Sequence, residues 1–492
     1  MRMDKYILTI DQSTSGTKVL LMNAQAQIVD KLHVAHEQIY PQPGWLEHNP
    51  HEIYNQVVHL LNTIVEKHQL NKSNVHGLAI TNQRETCLIW DKYGDALHHA
   101  IVWQCNRTAS LCQEYIDNGY EKFIEEKTGL KISPYFSATK LQWLNMHCEI
   151  PETTLAGTMD SWLIYKLTNH QVHATDYTNA CRTLLFNIHS LQWDEELIKL
   201  FQLQHLQLPQ VYYSDSCFGT LADPQLSTHL QGVPIYGVIG DSQAALFSQS
   251  CFQKGDAKAT LGTGTSVLMN VGSKPITTKE GIVATIAWAL SDDITYAIEG
   301  IIYSTGDTIS WAKEQLDLFT SYEELHQLLQ KTFDTQGVTI IPAFHGLGAP
   351  YWSQHAKAAI FGINRSTNKA HILKACVDSI ALQINDVLQL MEQIANEPLR
   401  QLKCDGGGTN NPFTLQQIAN ILQKTIEVNN STDLSPVGAA YICGLTLNWW
   451  QKDTLKNFSM YSNYQPMIAP EKAQISILHW QKLVKHLQAI YS

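Results

Sequence analysis

Three polar turns in the chain carry residue types suited to handling phosphate. The first, Asp11-Gln12-Ser13-Thr14-Ser15-Gly16-Thr17, follows an apolar stretch over residues 6–10 and leads into another over 19–22. A turn this rich in Ser, Thr and Gly can aim backbone N–H groups and hydroxyls at phosphate oxygens, and Lys18 can add positive charge. Asp11, at a strand end, can hold a divalent cation directly or through water. The same residues also make an ordinary β-turn with an Asx-type bond. The second turn, Gly262-Thr263-Gly264-Thr265, lies between residues 257–261 and 266–269 and is equally open taken alone. In the third, Asp405-Gly406-Gly407-Gly408, the glycines let backbone approach a flat ligand such as adenine, or simply turn the chain. None of the three matches G-x-x-x-x-G-K-[ST] or G-x-G-x-x-G, which disfavours a P-loop and a dinucleotide site.

Such turns need a frame. Each of the first two is enclosed in a strand–turn–strand unit, and each unit opens one half of the chain, which points to a duplicated architecture. Leu373, Val377, Ile380, Ile384, Val387, Met391 and Ile394 recur at alternating four- and three-residue spacing, the apolar face of a long helix. A shorter helix is expected over 414–422, after the glycine cluster. Strands alternating with helices in both halves indicate α/β domains. The boundary is expected within 248–255, dividing the chain into 1–250 and 251–492.

At 492 residues the chain exceeds the size at which a single core stops growing, so two or more domains are expected. Apolar residues at 44% and charged residues at 16% exclude a disordered tether. A formal net charge of -11 gives no electrostatic reason to approach nucleic acid or an anionic membrane, and neither is expected as a partner. The N-terminal residues show no leader pattern, and no apolar stretch nears the length of a membrane span. The 10 cysteines include no C-x-x-C pair and no zinc-type spacing. Reduced thiols in a cytoplasmic protein are the expectation, with Cys376 a buried, inert example.

Longer runs carry a resemblance. They are Pro43-Gly44-Trp45-Leu46-Glu47-His48, Ile80-Thr81-Asn82-Gln83-Arg84-Glu85-Thr86, Ala100-Ile101-Val102-Trp103-Gln104-Cys105 and Thr175-Asp176-Tyr177-Thr178-Asn179-Ala180. Gly240-Asp241-Ser242-Gln243-Ala244-Ala245-Leu246-Phe247 and Gly346-Leu347-Gly348-Ala349-Pro350-Tyr351-Trp352 continue the series. Together with the three turns, these runs resemble the FGGY carbohydrate kinases of the actin-like ATPase superfamily, and among them the glycerol kinases, over almost the whole chain. Two family signature regions are recognisable, Tyr135-Phe136-Ser137-Ala138-Thr139-Lys140-Leu141-Gln142-Trp143 and Gly362-Ile363 followed by His371-Ile372.

The resemblance implies two ribonuclease H-like, actin-like ATPase domains with a catalytic cleft between them. It implies in-line transfer of the ATP γ-phosphoryl group to a terminal hydroxyl of a small polyol or sugar. Asp241 takes the place of the general base, and Asp11 with Asp241 the place of the Mg²⁺ ligands. Thr14, Ser15, Lys18, Thr263, Gly306 and Ser310 fall on the nucleotide side, with Gly407, Gly408 and Asn411 near adenosine. Arg84, Glu85, Trp103, Tyr135, Asp241, Ser242 and Ser266 fall around the acceptor. Glycerol, giving glycerol 3-phosphate, is the implied acceptor.

Several positions depart from the family pattern. Lys18 stands for a usual Arg and loses the bidentate fork. Ser13 stands for a usual Gly. Ser242 stands for a usual Gln, and Ser266 for an apolar aromatic residue. The last two leave a larger, more polar pocket, so a four- or five-carbon polyol or ketose (erythritol, xylulose, ribulose) is the alternative acceptor. Residues 224–234 contain no Arg or Lys, which implies no inhibition by fructose 1,6-bisphosphate. An actin-like ATPase switch without an acceptor is the competing class. A homodimer or higher homo-oligomer stays open.

Overall fold

The computed structural model describes residues 4–278, 281–353 and 355–491. Its first sheet comprises β1 (Tyr6–Gln12), β2 (Gly16–Asn23), β3 (Ile28–Ala35), β4 (Val75–Asn82) and β5 (Ile235–Gly240). β1, β2 and β3 form an antiparallel meander, and β4 and β5 add in parallel on the far side of β1, giving the order β5-β4-β1-β2-β3. The second sheet comprises β6 (Asp256–Leu261), β7 (Thr265–Gly272), β8 (Val283–Leu290), β9 (Asp293–Ile302), β10 (Gln401–Asp405), β11 (Ile426–Asn429) and β12 (Tyr461–Tyr464). Its order is β8-β9-β7-β6-β10-β11-β12, so β9-β7-β6-β10-β11 repeats the path of the first sheet. The duplication expected from the two turns is thus present, as two domains of ribonuclease H-like topology. β4 is buried along almost its whole length, as a parallel strand covered on both faces must be.

The helices that bear on the site are α1 (Pro50–His68), α2 (Asp241–Ser248), α3 (Gly306–Glu314), α4 (Lys369–Ala395), α5 (Pro412–Leu422) and α6 (Leu434–Thr446). α4 and α5 are the two helices expected from periodicity, each extended by its cap. Asn368 accepts from the first-turn N–H groups of α4 while His371 reaches back to the Asn368 N–H, and Asn411 caps α5. Cys376 lies buried in α4, and burial pushes its thiol up to about 12, so it stays protonated and inert. No helix among the described residues is long and apolar enough to cross a membrane.

Two helices join the domains. α6 belongs to the second half of the chain, yet it packs on α2 and across β1, β4 and β5 of the first sheet. The helices cross so closely that a Cβ on Gly438 would stand 2.0 Å from the Ala244 carbonyl oxygen. Ile239, Phe247, Leu268, Trp288, Ala297 and Ala440 form one buried cluster there, drawn from both sheets and both helices. A small sheet of Glu47–His48, Cys87–Trp90, Ala100–Ile101, Thr154–Thr158 and Leu206–Gln207 extends the first domain and supports the segments bearing Trp103 and Tyr135.

Candidate active site

Strand register assembles the site. Asp11 pairs with Thr81 across β1 and β4, and Gly240 pairs with Asn82 across β5 and β4. Asp11, Arg84 and Asp241 therefore leave the sheet side by side at its carboxyl edge, where open α/β sheets place their ligands. In the second sheet Thr260 pairs with Asp405, which brings the Gly262 turn beside the Gly406 turn in the same way.

Where the acceptor is expected, Glu85 adopts a left-handed φ of 61°, a conformation that costs a non-glycine residue energy and is held by its surroundings. Its carboxylate accepts a 2.6 Å hydrogen bond from Arg182 Nε, and Arg84 Nε lies 4.0 Å away. Arg84 Nε also lies 3.3 Å from Asp241 Oδ1, while Nη2 donates to Glu299 Oε1 at 3.0 Å and Nη1 to Gln243 Oε1 at 3.2 Å. Arg182 Nη2 lies 2.7 Å from Glu299 Oε2, an ion pair rather than an aligned hydrogen bond. Ser266 Oγ donates to Glu299 Oε1 at 2.9 Å. Burial pushes Glu299 upward, but the Arg182 and Arg84 guanidiniums outweigh it and hold the carboxyl down at about 2. Burial raises Glu85, with Arg84 and Arg182 opposing. Within this charged group Asp241 is the most exposed: 35% of its side chain is exposed, against 5% for Arg84 and 2% for Glu85. Its Oδ1 accepts from the Ser242 N–H at 2.6 Å. Trp103 and Tyr135 meet edge to face at 5.3 Å, and Trp103 Nε1 donates to Thr14 Oγ1 at 2.9 Å, which ties this aromatic pair to the first turn.

Where the nucleotide is expected, Asp11 is buried and pushed up to about 7, mainly by burial, with Asp241 and Asp433 adding to the rise and Lys18 opposing it. Lys18 is less free than its position suggested. Its Nζ donates to Asp433 Oδ1 at 2.5 Å and lies 3.8 Å from Asp11, while Lys31 takes the other Asp433 oxygen at 2.8 Å. Asp433 is the residue before α6. Thr14 and Ser15 form the turn tip, with Ser15 exposed. Thr263 is exposed on the second turn, and its carbonyl accepts from the Thr305 and Asp307 N–H groups at the start of α3. Gly306 is required there, since a Cβ would stand 2.3 Å from the Gly262 carbonyl oxygen, and Ser310 lies one turn further along α3. Gly406 has a φ of 88° and lies against Leu261 of β6. Gly408 does too, whereas Gly407 faces open space; Asn411 Oδ1 accepts from the Phe413 N–H.

Sequence reading missed Glu299, Arg182, Gln243 and Asp433. Glu299 had a signal: it is the lone carboxylate in the apolar run Tyr296-Ala297-Ile298-Glu299-Gly300-Ile301-Ile302. Arg182 had a weaker one, a single charge in Ala180-Cys181-Arg182-Thr183-Leu184-Leu185.

Models of the FGGY family of carbohydrate kinases match both halves of the chain, the N-terminal domain over residues 6–248 and the C-terminal domain over 257–447. The chain belongs to the FGGY family of carbohydrate kinases. This FGGY kinase is 40% identical to the glycerol kinase of Halothermothrix orenii, covering 98% of each chain. It is also 40% identical to glycerol kinase 1 of Thermotoga maritima, over 98% of this chain and 99% of that one. Among solved structures it superposes on Plasmodium falciparum glycerol kinase with ADP at a TM-score of 0.92, with 34% identity and 98% coverage of both chains. A ligand-bound xylulose kinase from Lactobacillus acidophilus superposes at 0.89 with 19% identity over 99% of each chain, a likeness of fold. The FGGY kinase described here is an ATP-dependent phosphotransferase with an alcohol group as acceptor.

Proposed function

We propose that this FGGY kinase phosphorylates a terminal hydroxyl of glycerol to give glycerol 3-phosphate, with Asp241 as the general base. The observation that carries the reading is the placement of Asp241: a reachable carboxylate at the start of α2, beside Arg84 and at the same sheet edge as Asp11. The relatives named glycerol kinase support glycerol as the acceptor. A carboxylate within hydrogen-bond reach of the attacking hydroxyl can take its proton as the oxygen meets phosphorus. Arg84 and Glu85 donate to and accept from the acceptor hydroxyls, and the Trp103 and Tyr135 rings cover its carbon face. Thr14, Ser15, Lys18, Thr263, Gly306 and Ser310 serve the nucleotide, with Gly407, Gly408 and Asn411 toward adenosine. In the same reading the chain divides at residue 250 and the enzyme works in the cytoplasm.

Mg²⁺ fits Asp11 and Asp241. Asp11 is a buried carboxylate whose ionisation is opposed by burial and by its acidic neighbours, and a cation would relieve that. Among the described residues no group of three or more His, Cys, Asp or Glu could hold a metal ion. Mg²⁺ commonly takes one or two carboxylates and completes its shell with substrate phosphates and water. Bound there, Mg²⁺ supplies charge neutralisation on the transferring phosphoryl group.

One observation favours a second reading, a kinase of a larger polyol or ketose. Ser266 turns its hydroxyl to Glu299, so the acceptor wall at that point is short and polar. Turnover with glycerol, erythritol, xylitol, xylulose and ribulose, with ³¹P NMR of each product, separates the two. The highest kcat/KM is expected with glycerol; a higher value with a four- or five-carbon acceptor transfers the assignment to that compound.

A further inference from the structure

Glu299 belongs to β9 of the second domain, yet the partners of its carboxylate include Arg84 and Arg182 of the first. It is fully buried, and both oxygens are engaged: Oε1 accepts from Arg84 and Ser266, and Oε2 faces Arg182 and, at 3.4 Å, Arg84 Nη1. Glu85, Arg182, Glu299 and Arg84 thus alternate in sign along one chain of contacts that crosses between the domains. Stability alone is a poor reason for such a group, because burying an ion pair gains little over well-packed apolar side chains.

We propose that Glu299 is a positioning residue for phosphoryl transfer: a fixed carboxylate of the second domain that orients the Arg84 and Arg182 guanidiniums of the first, so that both domains complete the acceptor site. The inference rests on the acceptor role of Arg84 and Glu85 given above. Its physical content is a competition for Arg84. The next nearest carboxylates to that guanidinium are Asp241 at 3.3 Å and Glu85 at 4.0 Å. Without Glu299 the fork turns toward Asp241, pairs with both of its oxygens and occupies the lone pairs that the attacking hydroxyl needs. Arg182 loses its second anchor and no longer fixes Glu85. Ser266, on the neighbouring strand, holds Glu299 Oε1 from within its own domain, so the carboxylate has one orientation to transmit.

Glu299→Gln keeps the size and removes the charge. In this variant kcat with glycerol is expected to fall and the glycerol KM to rise by roughly 10- to 100-fold in combination, the scale of a misplaced reacting group. The ATP KM is expected to stay within about twofold, and Glu299→Asp, which keeps the charge on a shorter stem, to recover part of kcat. A merely structural residue would move both KM values together and gain nothing from Asp. Unchanged kcat and glycerol KM in folded Glu299→Gln, or a parallel rise of both KM values without recovery by Asp, overturns the inference. If Glu299→Gln does not fold, Ser266→Ala decides: it leaves the ion pairs and removes one of the two donors to Oε1, so a smaller selective rise in glycerol KM is expected and no change overturns. Wild-type turnover under the same conditions separates the two levels, since polyol-dependent ADP release in the wild type keeps the acceptor reading whatever the variants do.

Discussion

At the scale of single residues, the site is a small number of charged side chains whose directions are fixed by one another. Trp103 offers a clean test, because its Nε1 bond to Thr14 links the proposed acceptor wall directly to the first turn. Trp103→Phe keeps an aromatic face and removes that bond. Losing a hydrogen bond of about 1 kcal/mol corresponds to roughly fivefold in ATP KM, read from initial rates at saturating acceptor; an unchanged KM would show that the turn holds its shape alone. Arg84, Glu85, Trp103, Tyr135 and Asp241 could be proposed from the sequence because each lies in a long matched run. Glu299 and Arg182 could not, because their meaning is their proximity to partners 215 and 97 residues away. Charge complementarity across such separations exists only in three dimensions. Lys18 shows the converse: its type was readable, but its commitment to Asp433 was not.

At the scale of elements, the crossing of α2 and α6 is the tightest constraint on how the domains meet. Gly438→Ala would drive a Cβ into the Ala244 carbonyl, a backbone atom that cannot step aside. Alanine's better helix propensity returns at most about 1 kcal/mol, whereas overpacking costs about 1–3 kcal/mol. A net fall in Tm is expected by calorimetry, and an unchanged or higher Tm would mean the helices can separate freely. Sequence reading found the paired hairpins and α4, because alternation and a repeated apolar face leave a periodic trace. It did not find the small sheet under Trp103 and Tyr135. Several of its strands are only two residues long, such as Glu47–His48 and Ala100–Ile101, too short to show any period.

At the scale of the whole molecule, buried carboxylates displaced in opposite senses shape the pH range of greatest stability, with Asp11 and Asp160 pushed up and Glu299 held down. Asp160 is pushed up to about 7 by burial, with the Thr158 and Thr175 hydroxyls opposing and Asp176 adding. Its folded value lies above its usual one, so its contribution is fully present below the ordinary aspartate range and is lost progressively as pH rises from there through about 7. Glu299 is held at about 2, so its contribution is present above the ordinary glutamate range and lost as pH falls from there toward about 2. Tm of the nucleotide-free protein is therefore expected to be highest between about pH 4 and 5 and to fall toward pH 7, and a Tm that climbs steadily from pH 5 to 7 would contradict this. The duplication behind the two domains was legible in the repeated turn units. The return of α6 to the first sheet was not, since nothing in an apolar helix names the sheet it will cover.

The most direct test of the account is ADP release from Mg-ATP, with and without glycerol, by the wild-type chain and by Asp241→Asn. The expected result is release that depends on the polyol and falls by about 10²- to 10⁴-fold in the variant. Release that is the same with and without every polyol, or full activity in Asp241→Asn, would contradict it.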